Sequence, residues 1–198
     1  MKLPLKIDLY LTQSINKFVC KNSYLSSFLS YITHTSGGRT YILYFLIIPF
    51  LPKLTNYIIS TELANFIWVY GGSAFMFFQV PIYFSLKYIF KRDRPYLHHD
   101  VTAIINPPDK FSFPSGHSAS ATLLTLIIIT LSPILAPYFI VWMLIIFLSR
   151  VGLGLHYVSD VFFGAALGSL SFFVATQLSK YDLSLSHKIF ESLFNFYN

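Results

Sequence analysis

Charge is what this sequence has least of. Of its 198 residues only 11% are Asp, Glu, Lys or Arg, with eight acidic side chains against fourteen basic ones. A soluble globular chain carries roughly 25% charged residues, and a water-facing domain of this size needs more ionised surface than this to stay dispersed. Cys20 is the lone cysteine, which excludes an internal disulfide. No internal repeat and no low-complexity tract interrupts the chain. Met1-Lys2-Leu3-Pro4 leads into no apolar signal-peptide core with a small-residue cleavage site, so targeting is expected to use the first true span. The length suits one domain.

What is present instead is apolar. Hydrophobic residues make up 55% of the chain and aromatic ones 19%, and the mean hydropathy is +0.59. Aromatic girdles at the two bilayer faces would use many such rings. The formal charge of +6 argues poorly for nucleic acid, because long stretches carry no charge at all. A membrane surface or a phosphorylated substrate accounts for it better. The partners expected are membrane lipids and a lipid phosphate, with no nucleic acid and no protein partner specified.

The pattern divides the chain into three parts. Residues 1–39 are mixed, with Lys2, Lys6, Lys17 and Lys21 spread among Ile7, Leu11, Ile15 and Phe18 at helical spacing. They read as an amphipathic helix on the membrane surface or, equally, as one packed on a bundle. Residues 40–179 read as the transmembrane core. Candidate spans run over Tyr41–Ile59, Leu63–Leu86, Ser118–Ser132, Tyr138–Arg150 and Val161–Ser179, against about 20 residues for a full crossing. This makes five spans, or six if the first forty residues cross. Residues 180–198 read as a surface tail. The fold class expected is all-α, a polytopic transmembrane helical bundle.

Polar residues gather at the ends of these spans in three clusters. In the first, Lys87 precedes Arg94-Pro95 by seven positions, which on a helix returns nearly to the same face. Such a pair can clamp a phosphate as point charge and planar fork, or simply form the positive flank of a span. In the second, Pro114-Ser115-Gly116-His117 opens an apolar helix. Ser115 is a candidate cap, the free N–H groups beside Gly116 make an anion pocket, and His117 can give a proton to a leaving group. In the third, Ser149-Arg150 is followed by His156 and Asp160. Their spacing of four stacks imidazole and carboxylate on one helical face, where the carboxylate fixes the tautomer and leaves the other nitrogen free as nucleophile or base. Ionisable groups at span ends are by default a functional hypothesis.

In order and spacing these clusters resemble the three signature motifs of the type 2 phosphatidic acid phosphatases, the superfamily that also holds the vanadium haloperoxidases, and specifically its bacterial membrane members. The resemblance covers Lys87 to Asp160. It implies an acid phosphatase/vanadium haloperoxidase-like bundle. It also implies that His156 attacks phosphorus to form a phosphohistidine, that Asp160 supports it, and that His117 protonates the departing oxygen. Lys87, Arg94, Ser115, Gly116 and Arg150 are then the residues that hold phosphoryl oxygens. Neither metal nor other cofactor is implied. The substrate expected is a lipid phosphomonoester or diphosphate: undecaprenyl diphosphate, phosphatidylglycerophosphate or phosphatidate. Other functions considered are a lipid A phosphatase, a lipid phosphotransferase using the same site, and a non-enzymatic lipid-binding or transport protein. The resemblance places the chain in the bacterial cytoplasmic (inner) membrane with its site on the non-cytoplasmic face, whereas the four N-terminal lysines favour the cytoplasmic side. Many bacterial members have a sixth span, ahead of the amphipathic stretch, that this sequence lacks.

Overall fold

A computed structural model describes residues 6–50, 61–107 and 109–181, and among these the only regular structure is helical. Helix α1 is Lys6–Cys20 and α2 is Ser23–Ile32, capped by Asn22, whose side chain accepts from Leu25 N. A 3₁₀ turn, Thr33–Ser36, leads to α3, Gly38–Ile47. A continuous helix α4 covers residues 61–90 and passes through two π-helical stretches, Phe66–Gly71 and Ala74–Gln79, before its last part, Val80–Phe90. The remaining helices are α5 (Gly116–Leu131), α6 (Ala136–Gly152) and α7 (Val158–Tyr181). The second half of the predicted Tyr41–Ile59 span and nearly all of the predicted tail lie outside the described residues.

Two helical segments among the described residues are long and apolar enough to cross a membrane, Leu63–Leu97 and Val158–Lys180, while Gly116–Leu131 and Ala136–Gly152 are apolar but shorter. Their outward faces are apolar. Phe77, Ile89, Tyr138 and Phe162 are all exposed, as apolar side chains are where a helix faces lipid.

Helix contacts in lipid depend on close packing, because lipid tails are as apolar as leucine. Helices α5 and α7 show how this is met. A Cβ on Gly164 would stand 2.3 Å from Ser115 O, and one on Gly168 would stand 2.2 Å from Ala119 O, so the two glycines let the backbones touch. Beside this pair, Tyr41, Leu63, Ile67, Phe75, Leu123 and Ile127 bring α3, α4 and α5 into one core.

Helix α1 turns a largely polar face inward, with Val19 at its end. Asp8, Thr12 and Asn16 are buried, whereas Ile7, Leu11 and Phe18 are exposed. This arrangement follows from the surroundings. An apolar face can lie in lipid, and a polar face there needs protein partners. Asn16 donates to Thr102 O and Gly152 O, each at 2.9 Å, and accepts from Thr102 N.

Candidate active site

The three motif clusters meet at one end of the bundle, around a cavity of about 350 Å³. Lys87 sits in the last turn of α4, but Arg94 does not follow it on the helix. Lys91 takes a left-handed conformation, φ 45°, which ends α4, and Arg94 lies beyond in extended backbone. The two cations therefore converge through a chain reversal, where the sequence spacing predicted one helical face. Both are buried and both reach the same carboxylate oxygen. Lys87 Nζ and Arg94 Nη2 each lie 2.8 Å from Asp109 Oδ1, and Lys87 also donates to Phe111 O. The other oxygen of Asp109 accepts from Tyr83 OH at 2.7 Å. Burial alone would raise the Asp109 carboxyl, but hydrogen bonds from Lys87 and Tyr83, with the charges of Lys87 and Arg94, outweigh it and hold it below the usual carboxylate range.

Ser115 caps α5 as expected, accepting from Ser118 N at 3.3 Å. Its hydroxyl also accepts from Ser118 Oγ, and its own N–H donates to Asp160 O at 3.0 Å. Ser115 thus builds the turn, whereas Gly116 and His117 line the cavity. The His117 carbonyl accepts from Ser36 Oγ at 2.7 Å, one of the bonds by which the Thr33–Ser36 turn supports the site. Thr33 Oγ1 also accepts from Arg150 Nη1 at 2.8 Å and from Ser149 Oγ at 3.1 Å. The rest of the Arg150 guanidinium is conspicuous. Nε and Nη2 are buried with no hydrogen-bond partner among the described residues.

His156 precedes α7, so it and Asp160 face each other across the helix start, where the spacing predicted two positions on one helix. Nδ1 lies 3.6 Å from Asp160 Oδ2, too long for a hydrogen bond. Nε2 lies 3.4 Å from Arg94 Nη1, itself bonded to Leu155 O at 2.6 Å. A guanidinium only donates, so the contact suits the tautomer with Nε2 unprotonated and the proton on Nδ1, on the side of the carboxylate. Burial first, then the charges of Arg94, Arg150 and Lys87, push the imidazole well below its ordinary proton affinity.

Asp160 is anchored elsewhere. Its Oδ2 accepts from Tyr157 N at 2.9 Å, closing the first turn of α7, and its Oδ1 accepts from Arg92 Nη1 at 2.6 Å. Arg92 also bonds Ser159 Oγ at 2.7 Å and Asp8 Oδ2 at 2.8 Å, and lies 3.9 Å over the Tyr157 ring. Asp8 in turn accepts from Ser159 N and Ser159 Oγ. Helix α1 is thereby tied to the carboxylate beside His156.

Sequence reasoning missed Asp109, Arg92, Asp8 and Thr33. The Asp109 signal was there, a lone acid after Pro107-Pro108 and just ahead of the Pro114 motif. Arg92 stands within Lys91-Arg92-Asp93-Arg94, where no spacing singles it out. No three or more His, Cys, Asp or Glu side chains cluster among the described residues to hold a metal ion.

The PAP2 superfamily model matches residues 54–183. A decaprenylphosphoryl-5-phosphoribose phosphatase from Mycobacterium tuberculosis is 34% identical over 101 residues, 51% of this chain and 54% of that protein, so the chain spans about half the length of the curated relatives it matches. In fold it is similar to a transmembrane PAP2-type phosphatidylglycerolphosphate phosphatase from Bacillus subtilis (TM-score 0.65, 23% identical, 91% of this chain and 90% of that one). It is also similar to Aquifex aeolicus LpxE (TM-score 0.70, 21% identical, 87% and 96%).

Proposed function

The chain belongs to the PAP2 superfamily, and from that premise we propose that it is a membrane-embedded lipid phosphate phosphatase that works through a phosphohistidine. The observation that carries this is the unpaired half of Arg150. A buried guanidinium with two unmatched nitrogens calls for an anion, and it lines the same cavity as His156, His117 and the N-terminus of α5. A phosphoryl group there receives Arg150 as a fork, the free N–H groups of α5, and the charges of Lys87 and Arg94. Asp109 now pairs with those two cations, and a substrate phosphate takes over its role as their counter-charge.

In the reaction, the lone pair of His156 Nε2 forms a bond to phosphorus as the bond to the lipid oxygen breaks, and His117 passes its proton to that oxygen. Asp160 then faces an imidazolium and stabilises it. Water attacks the phosphohistidine, giving its proton to His117, and the N–P bond breaks to release phosphate. Charge on the transferring group is met throughout by Lys87, Arg94 and Arg150, which the fold holds in place before the substrate arrives. The apolar outer faces of α4 and α7 support a bilayer setting for the chain, and a lipid is the leaving group that suits it.

Purified protein assayed against a panel of lipid phosphates tests this. Phosphate release is expected with EDTA present, inhibited by vanadate, and reduced to background in His156→Ala. Release by H156A near the wild-type rate would refute the nucleophile, and loss in EDTA restored by magnesium would refute the metal-free mechanism.

A further inference from the structure

One polar side chain in the cavity has no part in the phosphoryl chemistry. Gln79 closes the second π-helical stretch of α4 and is 2% exposed. Its Nε2 donates to Ser120 Oγ at 3.1 Å, while its Oε1 is buried without a hydrogen-bond partner among the described residues. Both side chains line the same cavity as His117 and His156. Ser120 lies four residues beyond Gly116 on α5, so the pair sits about 6 Å along the helix from the phosphate end. A buried amide oxygen without a hydrogen bond is costly to leave unmatched. The two π-helical stretches are a further departure from regular structure, and π-bulges concentrate at functional sites.

The position decides what would match them. Gln79 and Ser120 line one cavity together with Arg150, His117 and His156 and with the apolar Phe75, Val80 and Phe84, so a lipid phosphate held at Arg150 and His156 has its leaving group within reach of the same cavity as the pair. We propose that Gln79 and Ser120 form a subsite for a hydroxyl of the leaving group, so that the substrate is a lipid whose terminal phosphate is carried on a hydroxylated linker. A hydroxyl both donates and accepts, so it matches the free end of the Gln79 amide whichever way the amide is turned, and Ser120, accepting one bond, can still donate another. This rests on the phosphatase reading and narrows it. A head-group glycerol or a sugar between the phosphate and the lipid carries such a hydroxyl. The diacylglycerol released from phosphatidate has both its other oxygens esterified, and a polyprenyl diphosphate has no hydroxyl on carbon at all.

The test compares two substrates in detergent micelles with the purified full chain: phosphatidylglycerolphosphate, and its analogue in which the free head-group hydroxyl is replaced by hydrogen. A site that hydrogen-bonds a substrate hydroxyl discriminates strongly against an analogue lacking it. The wild-type kcat/KM is expected to favour the hydroxylated substrate by at least about tenfold, and Gln79→Leu is expected to bring the ratio close to one. A role limited to joining α4 to α5 would lower both rates and leave the ratio as it was. Equal wild-type rates on the two substrates, or a ratio unmoved by Q79L, overturn the subsite and leave the phosphatase standing. Should Q79L fail to fold, the wild-type ratio decides alone. Hydrolysis of neither substrate while other lipid phosphates of the panel release phosphate overturns the inference and leaves the phosphatase standing; release from no lipid phosphate overturns both.

Discussion

The His156 imidazole stands among cations, and these govern when it can act. Only the unprotonated ring is a nucleophile, and burial with the charges of Arg94, Arg150 and Lys87 holds its proton affinity below the ordinary imidazole value. The acid limb of kcat/KM, which reports the free enzyme, should therefore lie low. Removing one cation makes protonation easier, so Arg150→Gln should move that limb to higher pH while also lowering the rate. The substrate's own second phosphate ionisation, with a pKa of about 6, is common to both proteins, so the difference between the two profiles isolates the enzyme. An unshifted limb in R150Q would show that Arg150 does not act on His156. Residues at this scale were legible in the sequence where their type is rare in an apolar chain. His117, Arg150, His156 and Asp160 stand at span ends; the first three line one cavity and Asp160 lies beside His156. Asp109, Arg92 and Gln79 were not legible in the same way. Their meaning lies in partners at 15, 68 and 41 positions' separation, which no local pattern carries.

Among the elements, α1 changes the usual relation between face and environment. Its buried side is Asp8, Thr12 and Asn16, and through Asp8 it holds Arg92, which in turn holds Asp160. Breaking a buried pair from one side leaves an unmatched charge and costs about 3–5 kcal/mol. Asp8→Ala should accordingly lower the Tm in detergent and reduce kcat, because the Arg92 charge is then balanced by Asp160 alone. Leu11→Ala, on the outward face, should leave both nearly unchanged. Equal losses in the two variants would mean that α1 contributes general packing with no specific tie to the site. The apolar runs after Leu63 were readable as helices because nothing charged interrupts them. Their ends were less so. A left-handed Lys91 stops α4 before Arg94, and α7 begins only after His156, so both pairs predicted from helical periodicity meet by chain reversal. Which face of α1 turns inward was also hidden, since its hydrophobic pattern suits a bundle surface and a lipid surface alike.

For the molecule as a whole, the site fixes the path of the chain. Lys87 at the end of α4, Gly116 at the start of α5, Arg150 near the end of α6 and His156 before α7 all gather at one end of the bundle. Helix α5 must therefore leave that end and α6 return to it, with the turn at residues 132–135 at the opposite end. Helix α7 leaves again, so Lys180 also lies opposite. The loop carrying His99 stays with the site. After replacement of the exposed Cys20 by Ser, single cysteines can be placed for His99, Ile134 and Lys180. In intact cells, a membrane-impermeant maleimide should label H99C and neither of the others if the site faces away from the cytoplasm, as the PAP2 resemblance implies. The basic side chains argue the other way, since Lys17 on α1 pairs with Asp100 at the active-site end and positive charge favours the cytoplasmic side. Labelling of I134C and K180C without H99C would keep the bundle and reverse it, giving the lysines precedence. Labelling of H99C together with either of the others would break the alternation itself and with it the expectation that α5, α6 and α7 each cross.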